Sequence, residues 1–234
     1  MVRFHSSAPK IVEDGDRESR VNTLASQTFF MAVDRSGFAD SLLTHQQAFG
    51  LLLSGEHITR LTGYYELVQE NNPVLHLVAP CTPEEFAVRH ILESLMLLEH
   101  LPRNSTFADV GAGAGLPSIP CLLVRDDLKA LLIESKERKA AFLEKAVLSI
   151  GIADRTSVVN RQFSETDPAG CDIITCRALD RFTMRVPRML KWAGPRTMLL
   201  FGGKNLEHAI QEQRKLYSRY LMPLSDQRFL FVIN

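Results

Sequence analysis

The chain has 234 residues, 45% of them hydrophobic and 23% charged, which is enough apolar material for one large core and favours one domain with an extension over two equal ones. No apolar run approaches the roughly 20 residues that span a bilayer, and the start lacks the apolar stretch of a secretory signal, so a cytoplasmic protein is expected. The 27 basic and 27 acidic side chains cancel, yet Lys and Arg against Asp and Glu number 7 and 13 in residues 1–100 and 20 and 14 in residues 101–234, so only the C-terminal half has the charge to attract a polyanion.

The first 25 or so residues are polar and charged without a period and read as a loose arm. From Phe29 to about Glu70, apolar residues recur at three- and four-residue spacings (Phe38, Leu42, Leu43, Phe49, Leu53, then Ile58, Leu61, Tyr65, Val68), predicting two or three helices broken near Gly55. Pro73, Pro80 and Pro83 make residues 71–83 a connector. The next helix is expected to open at Pro83, with Thr82 as its cap and Glu84 and Glu85 at its positive end. Beyond Leu101, short apolar runs at 106–110, 129–134, 156–160, 172–176, 197–201 and 228–233 predict strands. Helices are expected between them at 116–124, 136–150, near 164, at 180–192 and at 206–220. Strands alternating with helices at this pace require a mostly parallel sheet, because a parallel crossover needs a helix to return the chain. The chain therefore divides into a polar arm and helical region over residues 1–100 and an α/β, Rossmann-like domain over residues 101–234.

Cys81, Cys121, Cys171 and Cys176 stand at no zinc-binding or Cys-x-x-Cys spacing; reduced thiols are expected, and no metal.

The strand at 106–110 ends in Asp109 and Val110 and runs into Gly111-Ala112-Gly113-Ala114-Gly115-Leu116. Alternating glycines before a helix suit a ligand that approaches backbone N–H groups closely. A dinucleotide fingerprint wants a glycine where Leu116 stands, and a phosphate loop wants Gly-Lys-Ser/Thr, which is absent. The remaining pattern, G-x-G-x-G behind an acid, suits S-adenosylmethionine (SAM). The next strand ends in Glu134, where an acid can accept both ribose hydroxyls; Ser135 beside it begins the following helix.

PEEFAVRHILESLMLLEHL, DVGAGAGLPSIP, LLIESKERKAAFLEKAVLSIG and CDIITCRAL, in this order, resemble the GidB/RsmG family of bacterial 16S ribosomal RNA guanine-N7 methyltransferases, from about Leu67 to the C-terminus. The resemblance implies a class I methyltransferase fold, SAM as cofactor, and 16S ribosomal RNA or the small ribosomal subunit as partner. Its cofactor contacts fall on Gly111, Leu116, Gln162, Phe163 and Arg177, to which the loop reading adds Asp109, Ala112, Gly113, Gly115, Glu134 and Ser135. His76 stands where the family carries asparagine, and Glu93 where it carries aspartate.

Guanine N7 has an in-plane lone pair and attacks without losing a proton, so its methylation needs alignment and no catalytic base is expected. For His76 and His90 a structural role is expected. Arg177, Arg181, Arg185 and Arg188, spaced four, four and three apart, are expected to line one face of the helix after the fourth strand. There Arg181, Arg185 and Arg188 would grip phosphates, and Phe182 would offer a stacking surface. Lys204, behind two glycines, is a further phosphate candidate. Two other readings stay open: the same cofactor fold acting on a small molecule or protein, and a SAM-binding module without turnover.

Overall fold

The computed structural model describes residues 33–179 and 181–234; the expected polar arm lies outside the described residues. Residues 34–234 form one compact unit. Helix α1 (Arg35–His45) is capped by Asp34 and closes with a 3-10 turn, Gln46–Phe49, before Gly50 in the left-handed region. Helix α2 (Gly55–Leu75) starts at the expected break, where Ser54 and His57 cap each other's backbone N–H groups. It runs through Pro73 to Leu75, five residues into the expected connector. A proline this near the end removes a single backbone donor, and His76, left-handed, closes the helix by donating its N–H to the Asn72 carbonyl.

The third helical stretch opens as expected, with Thr82 and Glu85 in a reciprocal capping box. Helix α3 is composite: Pro83–Glu85, a π-helical segment Phe86–Leu92, Glu93–Leu95, then a 3-10 turn Met96–His100. The wide π turns change which face of the helix Glu93 presents, and such segments often mark functional sites.

Among the described residues the sheet has seven strands in the order β3-β2-β1-β4-β5-β7-β6. The parallel members are β1 (Thr106–Val110), β2 (Lys129–Ile133), β3 (Thr156–Val159), β4 (Ile173–Arg177) and β5 (Thr197–Gly202). Strand β7 (Phe229–Ile233) is antiparallel to β5 and to β6 (Tyr217–Leu221). The central strands are near-continuous apolar runs because both faces are covered. Helices α4 (Ser118–Val124) and α5 (Glu137–Ser149) contact the N-terminal α2. Helices α6 (Phe182–Ala193) and α7 (Lys204–Glu212) pack on each other and share a core with β1, β4, β5 and β7, built around Val186, Met189, Ile174, Leu200, Ile210 and Phe231.

The helix expected over 206–220 is corrected to α7 followed by β6. Arg214 takes φ 52 and turns the chain back without a glycine or proline to announce it. Strand β6 is the sheet's edge and mostly exposed, so its residues carry no buried alternation to read.

Candidate cofactor and substrate site

The strand order reverses between β1 and β4, the place where open α/β sheets bind ligands beyond the carboxyl ends of their strands. The glycine loop leaves β1 there. The N–H groups of Gly111 and Ala112 both donate to the Ile133 carbonyl that ends β2, at 2.8 and 3.1 Å, which ties the loop to the strand that carries Glu134. Glu134 is buried at 6% exposure. Its Oε2 accepts from the Gly113 N–H at 3.0 Å and its Oε1 from the Lys136 N–H at 2.8 Å. Helix α5 starts at Glu137 with Lys136 before it, so Ser135 does not begin that helix as expected; Ser135 stands exposed in the turn between.

Asp109 lies under this loop with 0% exposure. Its Oδ2 accepts from Ser118 Oγ at 2.6 Å, and its Oδ1 has no hydrogen-bond partner among the described residues. Burial pushes its pKa up to about 7, the Glu134 charge adds to the rise, and Ser118 and Arg177 oppose it. On the other side, Tyr64 of α2 donates its hydroxyl to the Ala114 carbonyl at 3.0 Å, so the N-terminal helices brace the loop. Burial raises the Tyr64 pKa strongly, which keeps that donor protonated.

The glycines are not equivalent. A Cβ on Gly111, at φ +74, would come within 2.6 Å of the Leu179 side chain, whereas on Gly113, at φ +57, the nearest atom would be the Gly111 carbonyl at 3.7 Å. Among the described residues, apart from its two chain neighbours, no side chain comes within 4 Å of that Cβ position on Gly113. An open backbone cradle, a carboxylate at the end of β2 and an orphaned carboxylate oxygen below fit a cationic nucleoside such as SAM. Leu116 is buried beside the cradle, and Ala112 is buried within it.

After β3, Phe163 is buried in the core and packs edge-on against Trp192 with 5.5 Å between centroids, while Gln162 stands exposed. Whatever Phe163 offers a ligand is thus backbone.

The arginine stripe is corrected. Arg177 ends β4, and α6 begins only at Phe182, with Arg181 left-handed before it, so the four do not share one helix face. Arg177 turns toward α3: it donates to the Arg89 carbonyl, to Ser94 Oγ at 3.3 Å and to Glu93 Oε2 at 3.2 Å, and stacks over Phe201. Arg181 and Arg188 are exposed and Arg185 is half-buried; Arg185 reaches Gln162 at 3.5 Å and Arg188 reaches Ser164 at 2.7 Å. Lys204 is the exposed first residue of α7.

A second group was not singled out from sequence. Glu93, 2% exposed, accepts from Arg177 and also from Arg228 Nε at 2.6 Å. These three side chains line a cavity of about 320 Å³ at the ends of β4 and β5, together with Phe182, Phe201 and Phe229. Arg228 sits 135 residues from Glu93 in the chain, so no local pattern links them. His90 packs at a tilt against Phe86, with 5.1 Å between ring centroids, and its pKa falls to about 3, through burial first and then the charges of Arg177, Arg89 and Arg228. His76 is the closing residue of α2 and its carbonyl takes a hydrogen bond from Lys139. All four cysteines are free, and three are buried. No group of three metal-ligating side chains occurs among the described residues, and none of their helices is long and apolar enough to cross a membrane.

The profile of the family described as GidB, rRNA small subunit methyltransferase G, matches residues 57–225. The chain belongs to this family. It is 32% identical over 183 residues to a ribosomal RNA small subunit methyltransferase G of Sorangium cellulosum, covering 75% of each chain, and 36% identical over 140 residues to one of Nitrosospira multiformis, covering 60% of this chain and 62% of that one. Among solved structures, a NADB-Rossmann superfamily protein from Streptococcus agalactiae matches with a TM-score of 0.50 and 14% identity, over 61% of this chain and 67% of that one, a likeness of fold. The GidB family match takes in most of α2, the glycine loop, Glu134 and Arg177, and ends before Arg228 and Phe229 of the cavity. The expected Rossmann-like fold with a mostly parallel sheet and a helical N-terminal extension is the one observed.

Proposed function

We propose that this GidB-family chain transfers a methyl group from SAM to N7 of a guanine in 16S ribosomal RNA, presented as RNA or within the small ribosomal subunit in the cytoplasm. The observation that carries the reading is the coupling of the glycine loop to Glu134, in which one carboxylate meets the loop's backbone donor at Gly113, where no side chain of the described residues, chain neighbours aside, comes within 4 Å of a Cβ position. Bound there, SAM supplies a sulfonium methyl group that a lone pair can displace. Glu134 would hold the ribose hydroxyls, and Asp109 would balance positive charge from below the loop. Gly111, Ala112, Gly113, Gly115 and Leu116 would form the cradle, with Ser135 and the backbone of Gln162 and Phe163 along its rim.

The chain's own groups suit an acceptor that brings no proton to remove. His90 is a very weak base and Glu93 is held between two guanidiniums, so neither is arranged to deprotonate a hydroxyl. Alignment alone can supply about 7–11 kcal/mol of a barrier. Incubation with labelled SAM and undermodified 16S RNA should place label on N7-methylguanine; SAM binding with no transfer to RNA would overturn the proposal.

The exposed Arg181, Arg188 and Lys204, with the half-buried Arg185, would meet phosphates. Arg181→Ala with Arg185→Ala is expected to weaken RNA binding about tenfold and flatten its salt slope by roughly two units, with SAM affinity unchanged. Filter binding across a salt series reads this. Equal loss of both affinities would make these arginines structural.

A further inference from the structure

We propose that the cavity at the ends of β4 and β5 receives the target guanine base, and that Arg228 reads its O6. The inference rests on the proposed methyl transfer to guanine N7.

The cavity, at 320 Å³, has room for one everted nucleoside. Its walls carry Phe182 and Phe229, both half-buried, on whose rings a base can lie, whereas Phe201 beside them is buried with Arg177 over its ring. It adjoins the cofactor cradle. Arg177 and Ala178 line it, and the next residue, Leu179, is the one whose side chain stands over Gly111.

The charged floor is built to aim one guanidinium. Glu93 is fixed from one side by Arg177, itself tied to the Arg89 carbonyl and Ser94 of α3, and it grips Arg228 through Nε. Among the described residues, neither terminal nitrogen of Arg228 has a hydrogen-bond partner, although Arg228 lines the cavity. A planar fork held at its Nε presents its remaining donors in a set direction. Of the atoms on guanine's major-groove edge, N7 and O6 are both acceptors. N7 must stay bare to attack, which leaves O6 for the arginine. Adenine carries an amino group at that position and would set donor against donor.

The test uses 16S RNA assembled by ligation with either guanosine or 2-aminopurine riboside at the position mapped in the labelling assay. 2-Aminopurine keeps N7 and the 2-amino group but lacks O6. The wild-type chain is expected to prefer guanosine in kcat/KM by about 10- to 100-fold. Arg228→Ala should lower kcat/KM on guanosine by a similar factor and bring the ratio to within about threefold, leaving the Kd for SAM unchanged. Arg228→Lys keeps a cation against the buried Glu93 and should fold even where alanine leaves that carboxylate unmatched; an intermediate ratio is expected from it. A wild-type chain that methylates both bases equally, or variants that slow transfer while keeping the wild-type ratio, would overturn the role of Arg228 and leave the methyltransferase reading intact. No transfer to guanosine by the wild type would instead remove the reading on which it rests.

Discussion

Replacing Gly113 by valine is expected to weaken SAM binding by more than about 100-fold while the chain still folds. A Cβ here makes only an ordinary contact among the described residues, with the Gly111 carbonyl at 3.7 Å. Holding a β-branched residue at φ +57 costs on the order of 1–3 kcal/mol, which a domain of ordinary stability survives. The side chain instead occupies the clear space above the loop, and the Gly113 N–H can still reach Glu134. Gly111 and Gly115 are poorer probes, because a Cβ there would collide with Leu179 or with Ile119, and a loss of binding would mix with a disturbed core. Calorimetric titration with SAM, alongside thermal unfolding, measures both effects. Unchanged affinity in a folded Gly113→Val protein would remove the cofactor from this loop.

What could be read ahead of the structure follows from how local the cause is. Strands β1, β2, β4 and β5 announce themselves because burial on both faces demands unbroken apolar runs. The pairing of Gly113 with Glu134 was legible because both lie at strand ends that adjacent parallel strands must bring together. Edge strand β6 was not, since exposure removes the pattern that identifies a strand. Spacing alone also misled at Arg177, which sits on β4 while Arg185 and Arg188 ride on α6. Long-range contacts left no trace in any short window. Tyr64 reaches Ala114 across 50 residues and Arg228 reaches Glu93 across 135, and both depend on α2 and α3 packing against the sheet domain. The glycine loop and its tie to Glu134 thus arise within one segment, whereas the cavity is assembled from α3, β4, β5, β7 and the starts of α6 and α7.

Asp109 should make both stability and cofactor affinity depend on pH. An aspartate with no exposed surface and one oxygen lacking a partner titrates near 7 in the folded chain against 3.8 when free, chiefly through burial. The folded state therefore holds this proton over a range where the unfolded state has released it. Its contribution to stability is complete below about pH 4 and is lost as pH rises through 7. Between pH 5 and 8 the wild type should lose on the order of 3 kcal/mol relative to Asp109→Asn, which keeps the acceptor for Ser118 but carries no charge at either pH. Urea unfolding of both proteins at the two pH values reads the difference. The cofactor's positive charge favours the ionised carboxylate, so SAM affinity should move the other way, weakening in the wild type as pH falls below 7, with protons released on binding near neutrality. Asp109→Asn should bind SAM at least about tenfold more weakly and with a flatter pH profile, because a neutral amide leaves the cation above it unbalanced. Parallel pH profiles for the two proteins, in unfolding and in binding alike, would mean that Asp109 stays ionised throughout and that the charge beneath the glycine loop does not respond to the ligand.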